Sequence, residues 1–127
     1  MNDVDSTGRS AHGRRFAIDF HAHILVPEVY AVAFPHSISC KTADAATDDE
    51  SRGILKARQD FVLERMSDVT ERIARMDAMG VDVQVLSSSH VHESTWWAEP
   101  KESLRLERML NDHIARIVAA NPARFVG

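Results

Sequence analysis

Two short apolar runs, each followed by a segment of helical periodicity, constrain this chain more than any other feature. Phe16-Ala17-Ile18-Asp19-Phe20 is dense and mostly apolar, which suits a strand buried on both faces of a parallel sheet. Pro27 argues against its simple continuation. Tyr30 to Phe34 reads as a helical turn or a loop, and Ser37 to Gly53, rich in Ser, Thr, Asp and Ala, as an excursion. Ile54 to Met66 has some helical character. The clearer helix is Asp68 to Met79: Asp68 suits an N-cap, Glu71 stands in capping-box position, and Val69, Ile73 and Met76 make one apolar face. Gly80 supplies its stop. Val81 to Leu86 is the second strand, with Val81, Val83 and Val85 on one face. Pro100 opens a long helix over about 101–120, which Asn121-Pro122 ends. Arg124 to Gly127 looks like the start of a third strand.

Strand, helix, strand, helix, strand means parallel βαβ units. A parallel sheet needs cover on both faces or closure into a barrel, and a (β/α)8 barrel takes about 250 residues. The chain has 127. The expected fold is therefore α/β, the N-terminal portion of a (β/α)8 barrel, about two and a half β/α units long. The other possibility is a small independent α/β domain that covers its strand edges in an unusual way. Residues 1–14 read as a disordered tail, and 15–127 as an incomplete barrel domain. Apolar residues make up 44% of the chain, enough for a core.

His21-Ala22-His23 carries the chemistry. Side chains two apart on a strand share a face, so the imidazoles can converge on one ion, and neutral imidazole suits zinc and other first-row metals. Strands that end at the mouth of a parallel barrel are where such enzymes keep their sites. Asp19 is expected on the same face, either orienting a histidine or hydrogen-bonding inside the barrel. His90-Val91-His92-Glu93 follows the second strand and reads as a solvated loop. Of Trp96-Trp97, Trp97 is expected to pack as core, while Trp96 could wall a planar substrate. His113 reads as a packing histidine, and Cys40 lacks the context of a nucleophile.

Ile18-Asp19-Phe20-His21-Ala22-His23-Ile24-Leu25 resembles the first strand of the amidohydrolase-related family that includes aminocarboxymuconate-semialdehyde decarboxylase. Arg72 to Val81, Val83 to Ser87, Trp97 to Pro100, Asn111-Asp112 and Pro122 to Gly127 resemble later blocks of the same family, in order. The resemblance implies a (β/α)8 barrel with one divalent metal, often zinc. It also implies non-oxidative decarboxylation of aromatic or unsaturated acids, or hydrolysis of related compounds. It places metal ligands on His21 and His23, with the remaining ligands and the general acid or base on later strands. It places a carboxylate-binding arginine near Arg58 or Arg65, a task suited to the guanidinium fork, although by its own sequence setting either reads first as a solvated arginine on a helix face.

The expected function is the N-terminal part of a metal-dependent decarboxylase acting on a small aromatic or muconate-like acid, inactive by itself. The alternatives are a metal-dependent hydrolase on the same scaffold and a non-catalytic βαβ piece. No basic stripe points to nucleic acid, and no apolar run approaches the roughly 20 residues needed to cross a bilayer. The expected setting is the cytoplasm, and the full-length enzyme is expected to be a homo-oligomer.

Overall fold

The structure, a computed structural model, describes residues 15–38, 40–41, 45, 48–89 and 95–127. The predicted tail, 1–14, lies outside them, as do His90 and His92.

The first strand, β1, spans Ile18–Ile24. It runs past the expected end at Phe20, so the histidine pair sits within the strand and not just after it. Helix α1 (Pro27–Ala33) follows, with Pro27 in its first turn, where a fixed φ and a missing N–H cost nothing. One 3-10 turn, Phe34–His36, continues it. Helix α2 spans Asp49–Ser67, so the expected excursion ends earlier than Gly53. Asp48 starts the helix by accepting from the Ser51 N–H at 2.7 Å and the Ser51 hydroxyl at 2.8 Å. No residue of α2 is fully buried, and this is why apolar periodicity located it poorly.

Helix α3 (Val69–Met79) begins as its sequence predicts: the Glu71 N–H donates to Asp68 Oδ1 at 2.9 Å. It ends on Gly80 at φ 73°. The Val81 N–H reaches the Met76 carbonyl and the Gly80 N–H the Asp77 carbonyl. These two bonds form a Schellman motif, which needs the left-handed residue that glycine supplies. Strand β2 is Val83–Ser88, helix α4 Pro100–Ala120 and strand β3 Phe125–Val126. The three strands form one parallel sheet in the order β1-β2-β3.

The core lies between the sheet and the helices. Ala22, Ile24, Leu86 and Phe125 from the strands meet Met76 of α3 and Leu106, Leu110, Ile114 and Ile117 of α4. Each fully buried large side chain contributes about 1.5–3 kcal/mol. The register sorts the strand residues by face. Asp19 pairs with Gln84, Gln84 with Phe125, and Ala22 with Leu86. These residues look toward the helices, where Gln84, Ala22, Leu86 and Phe125 are buried. Ile18 pairs with Val83, and Val85 with Val126, on the open face.

A regular strand would put Asp19 and Ala22, three apart, on opposite faces. The register shift between them, a bulge at Phe20-His21, brings both to the helix side. Phe20 is 76% exposed as a result. Two expectations are thereby corrected. β1 is buried on one face only, because the described helices cover only that face. The second strand starts and ends two residues later than expected, so Val81 precedes it, while Val83 and Val85 share the open face and are half-buried.

Candidate metal centre

His21 and His23 lie on the open face, where the sequence places a metal site. Their rings meet edge to face with centroids 4.7 Å apart, and the two Nε2 atoms are 3.0 Å apart. His23 Nδ1 is 2.6 Å from the Ser88 carbonyl oxygen. A carbonyl only accepts, so Nδ1 carries the proton and donates it. In neutral His23 the lone pair is therefore on Nε2, facing His21. A carbonyl that fixes the tautomer in this way is the usual support of a metal-binding histidine. The Ser87 hydroxyl, 3.1 Å from the same Nδ1, reinforces the orientation.

The donor set fits a divalent ion. With metal–nitrogen bonds of about 2.1 Å, nitrogens 3.0 Å apart subtend about 90° at the ion, and opening by a few tenths of an ångström reaches the tetrahedral angle. Among the described residues no cluster of three or more His, Cys, Asp or Glu side chains is placed to hold a metal. The pair thus supplies two ligands of a site that needs at least one more for catalysis.

Asp19 is not a partner of either ring. Its Oδ1 accepts from the backbone N–H of His21 at 3.0 Å, and its Oδ2 from Gln84 Nε2 at 2.9 Å. The bulge has turned it to the helix side, away from the imidazoles. There it meets a residue whose role sequence reading missed. Arg72 of α3 is 8% exposed. It donates to Gln84 Oε1 at 3.2 Å, to the His23 carbonyl at 2.7 Å and to the Met66 carbonyl at 3.2 Å. Burial pushes its pKa below the ordinary arginine value, the neighbouring Arg75 charge adds to this, and Asp19 opposes it. A signal was present. Positions 69, 72, 73 and 76 form one helical stripe, so Arg72 interrupts the apolar face of its own helix.

The three substrate-binding candidates lie apart from this constellation in their contacts. Arg58 is an exposed residue of α2. Arg65, near the end of α2, lies 5.0 Å over the Phe61 ring and 3.7 Å from Glu71. Trp96 is 77% exposed, with Lys41 Nζ 5.6 Å from its ring. Among the described residues no hydrogen bond, ion pair or ring contact joins any of the three to the histidines. Trp97 packs against the core, as expected, and stacks on His36 with centroids 3.7 Å apart. His113 is half-buried and borders a small cavity of about 190 Å³ with Val26, Glu28 and Arg116.

The fold and this site define a class: an α/β chain of parallel β/α units with an imidazole pair on β1. No protein-family model matches the chain. A curated relative does, the 2-amino-3-carboxymuconate-6-semialdehyde decarboxylase of Dictyostelium discoideum. It is 35% identical over an alignment of 124 positions that covers 90% of this chain and 32% of the relative. Among solved structures, the 5-carboxyvanillate decarboxylase of Sphingomonas paucimobilis matches with a TM-score of 0.60 and 27% identity, over 88% of this chain and 33% of its own. The Novosphingobium aromaticivorans enzyme of the same name, complexed with manganese and 4-hydroxy-3-methoxy-5-nitrobenzoic acid, matches in fold with a TM-score of 0.65. It is 23% identical, over 100% of this chain and 36% of its own.

Over most of its length the chain is homologous to the N-terminal third of aminocarboxymuconate-semialdehyde decarboxylase, a member of the amidohydrolase-related family. It spans about a third of the length of these relatives. Its fold is that of the N-terminal portion of a (β/α)8 barrel.

Proposed function

We propose that this chain supplies the first two metal ligands, His21 and His23, of a metal-dependent decarboxylase acting on a small aromatic or muconate-like carboxylic acid. The observation that carries this reading is the His23 ring. Its Nδ1 proton is committed to the Ser88 carbonyl at 2.6 Å, leaving Nε2 to converge with His21 Nε2. When bound, a divalent ion polarises a substrate oxygen or activates water. The chain's own contribution is to hold two imidazoles in one orientation on the open face of the sheet. Zinc is the proposed ion, because neutral imidazole suits it. Trp96 and either Arg58 or Arg65 are the proposed substrate contacts, since an exposed ring and a guanidinium fork suit a planar acid.

The reading extends to a homo-oligomeric full-length enzyme in the cytoplasm. Among the described residues no helix is long and apolar enough to cross a membrane.

With two ligands and no described acid or base beside them, residues 1–127 alone turn over no acid. The test joins the chain in frame to the rest of a relative's barrel. Carbon dioxide release from a 5-carboxyvanillate-type or carboxymuconate-type acid is expected, lost on His21→Ala or His23→Ala. Hydrolysis of an ester or amide without carbon dioxide release would replace this reading with the hydrolase. Zinc and manganese titrations of the same chimera, run side by side, decide the ion.

A further inference from the structure

We infer that Arg72, Gln84 and Asp19 form a buried lock on the β1 bulge, and that this lock positions the two histidines; the inference rests on the proposed metal site at His21 and His23. The bulge turns Asp19 to the helix side while His21 and His23 stay on the open face. A bulge leaves backbone groups outside the regular ladder. Asp19 Oδ1 takes one of them, the His21 N–H, at 3.0 Å. Arg72 takes the His23 carbonyl at 2.7 Å. The segment His21–His23 is therefore held at its first N–H and its last carbonyl by two side chains on the far side of the sheet.

Gln84 joins these two side chains. Its Oε1 accepts from Arg72 and its Nε2 donates to Asp19. This fixes the amide orientation, since the guanidinium can only donate and the carboxylate can only accept. Glutamine is thus matched to both neighbours at once. Both terminal nitrogens of the guanidinium are matched too, Nη1 serving Gln84 and Nη2 the His23 and Met66 carbonyls, while the buried Nε has no partner among the described residues. A lysine ammonium on a flexible stem lacks that fixed geometry. Met66 also accepts from the Leu25 N–H at 3.2 Å, so the end of α2 is tied to the strand just past the pair. None of these three side chains touches an imidazole, so they are positioning residues and not ligands.

The experiment compares the chain with Asp19→Asn, Arg72→Met and Arg72→Lys by two readouts. In the metal-free protein, long-range proton–nitrogen spectra of the histidine rings report the His23 tautomer. Zinc affinity is measured against a competing chromophoric chelator. The parent is expected to show His23 protonated at Nδ1. Asp19→Asn and Arg72→Met are expected to mix the tautomers and to weaken zinc about 10- to 100-fold, the usual effect of losing a group that orients a ligand. Arg72→Lys restores part of both.

Arg124→Met is the control for a merely structural role. Arg124 ties α3 to the start of β2 through Asp77, Asp82 and Val81, and its loss should lower stability without moving the His23 tautomer. If Arg72→Met fails to fold, the nearly isosteric Asp19→Asn carries the test. Folded variants with the parental tautomer and zinc affinity within about threefold of the parent would overturn the inference. Zinc binding in the parent that survives His21→Ala and His23→Ala would instead overturn the metal-site reading, and the tautomer measurement would still judge the lock.

Discussion

The two faces of the sheet use the same strands for different ends. The helix-covered face carries Ala22, Ile24, Leu86 and Phe125 in a close-packed core, with one hydrogen-bonded polar chain of Arg72, Gln84 and Asp19 through it. The open face carries His21, His23, Ser87, Val85 and Val126, among which His21, Ser87 and Val126 are exposed. Stability is concentrated on the first face and chemistry on the second. A single register shift in β1 lets both coexist in seven residues. Without it Asp19 would share the histidines' face and Ala22 would not share the side of Gln84. The difference teaches that this site is aimed from behind. The imidazoles stand on the open side while the groups that fix their backbone lie in the core.

Substitutions should separate the faces by size of effect. Phe125→Ala, fully buried on the covered face, is expected to cost about 3–5 kcal/mol in urea denaturation, the usual range for a buried phenylalanine. A cost below about 1 kcal/mol would end the comparison, because it would mean the core does not bear on that face. Gln84→Leu keeps the volume but strips partners from Arg72 and Asp19. A loss of about 1–3 kcal/mol is expected, the cost of leaving buried polar groups unpaired; no loss would mean that water replaces the amide.

On the open face, Phe20→Ser is expected to change stability by no more than about 0.5 kcal/mol while reducing self-association in sedimentation runs, since it removes an apolar surface. A large loss of stability there would show Phe20 to be packed after all.

The smallest expected effect lies off the sheet. The two bonds from Ser51 hold the Asp48 carboxyl below its ordinary pKa. The native pKa is lowered, so the cap contributes above the unfolded value, about 3.9, and is lost as pH falls through the folded one. The Ser51 amide resonance should shift in acid below the ordinary aspartate range, with no such transition in Asp48→Asn.

How much of this was legible follows from particular residues. Asp68, Glu71 and Gly80 bound α3 as the sequence predicts, because caps and left-handed stops are local chemistry. Helix α4 was legible because Leu106, Leu110, Ile114 and Ile117 keep the helical period over about three turns. Helix α2 was half-legible, since none of its residues is fully buried and so no apolar stripe marks its start. Asp19 was misplaced because alternation assumes a regular strand, and a bulge is set by pairing with β2, a partner about 65 residues away in sequence.

Sequence by itself determined the β/α alternation, the helix caps and the presence of an imidazole pair spaced to share a face, since each depends on residues close together in the chain. Only the tertiary structure decided which way Asp19 turns, that Arg72 is buried behind the histidines and that the Ser88 carbonyl sets the His23 tautomer. Those three facts rest on contacts between β1, α3 and β2, and hydrogen-bond direction across such distances has no local signature.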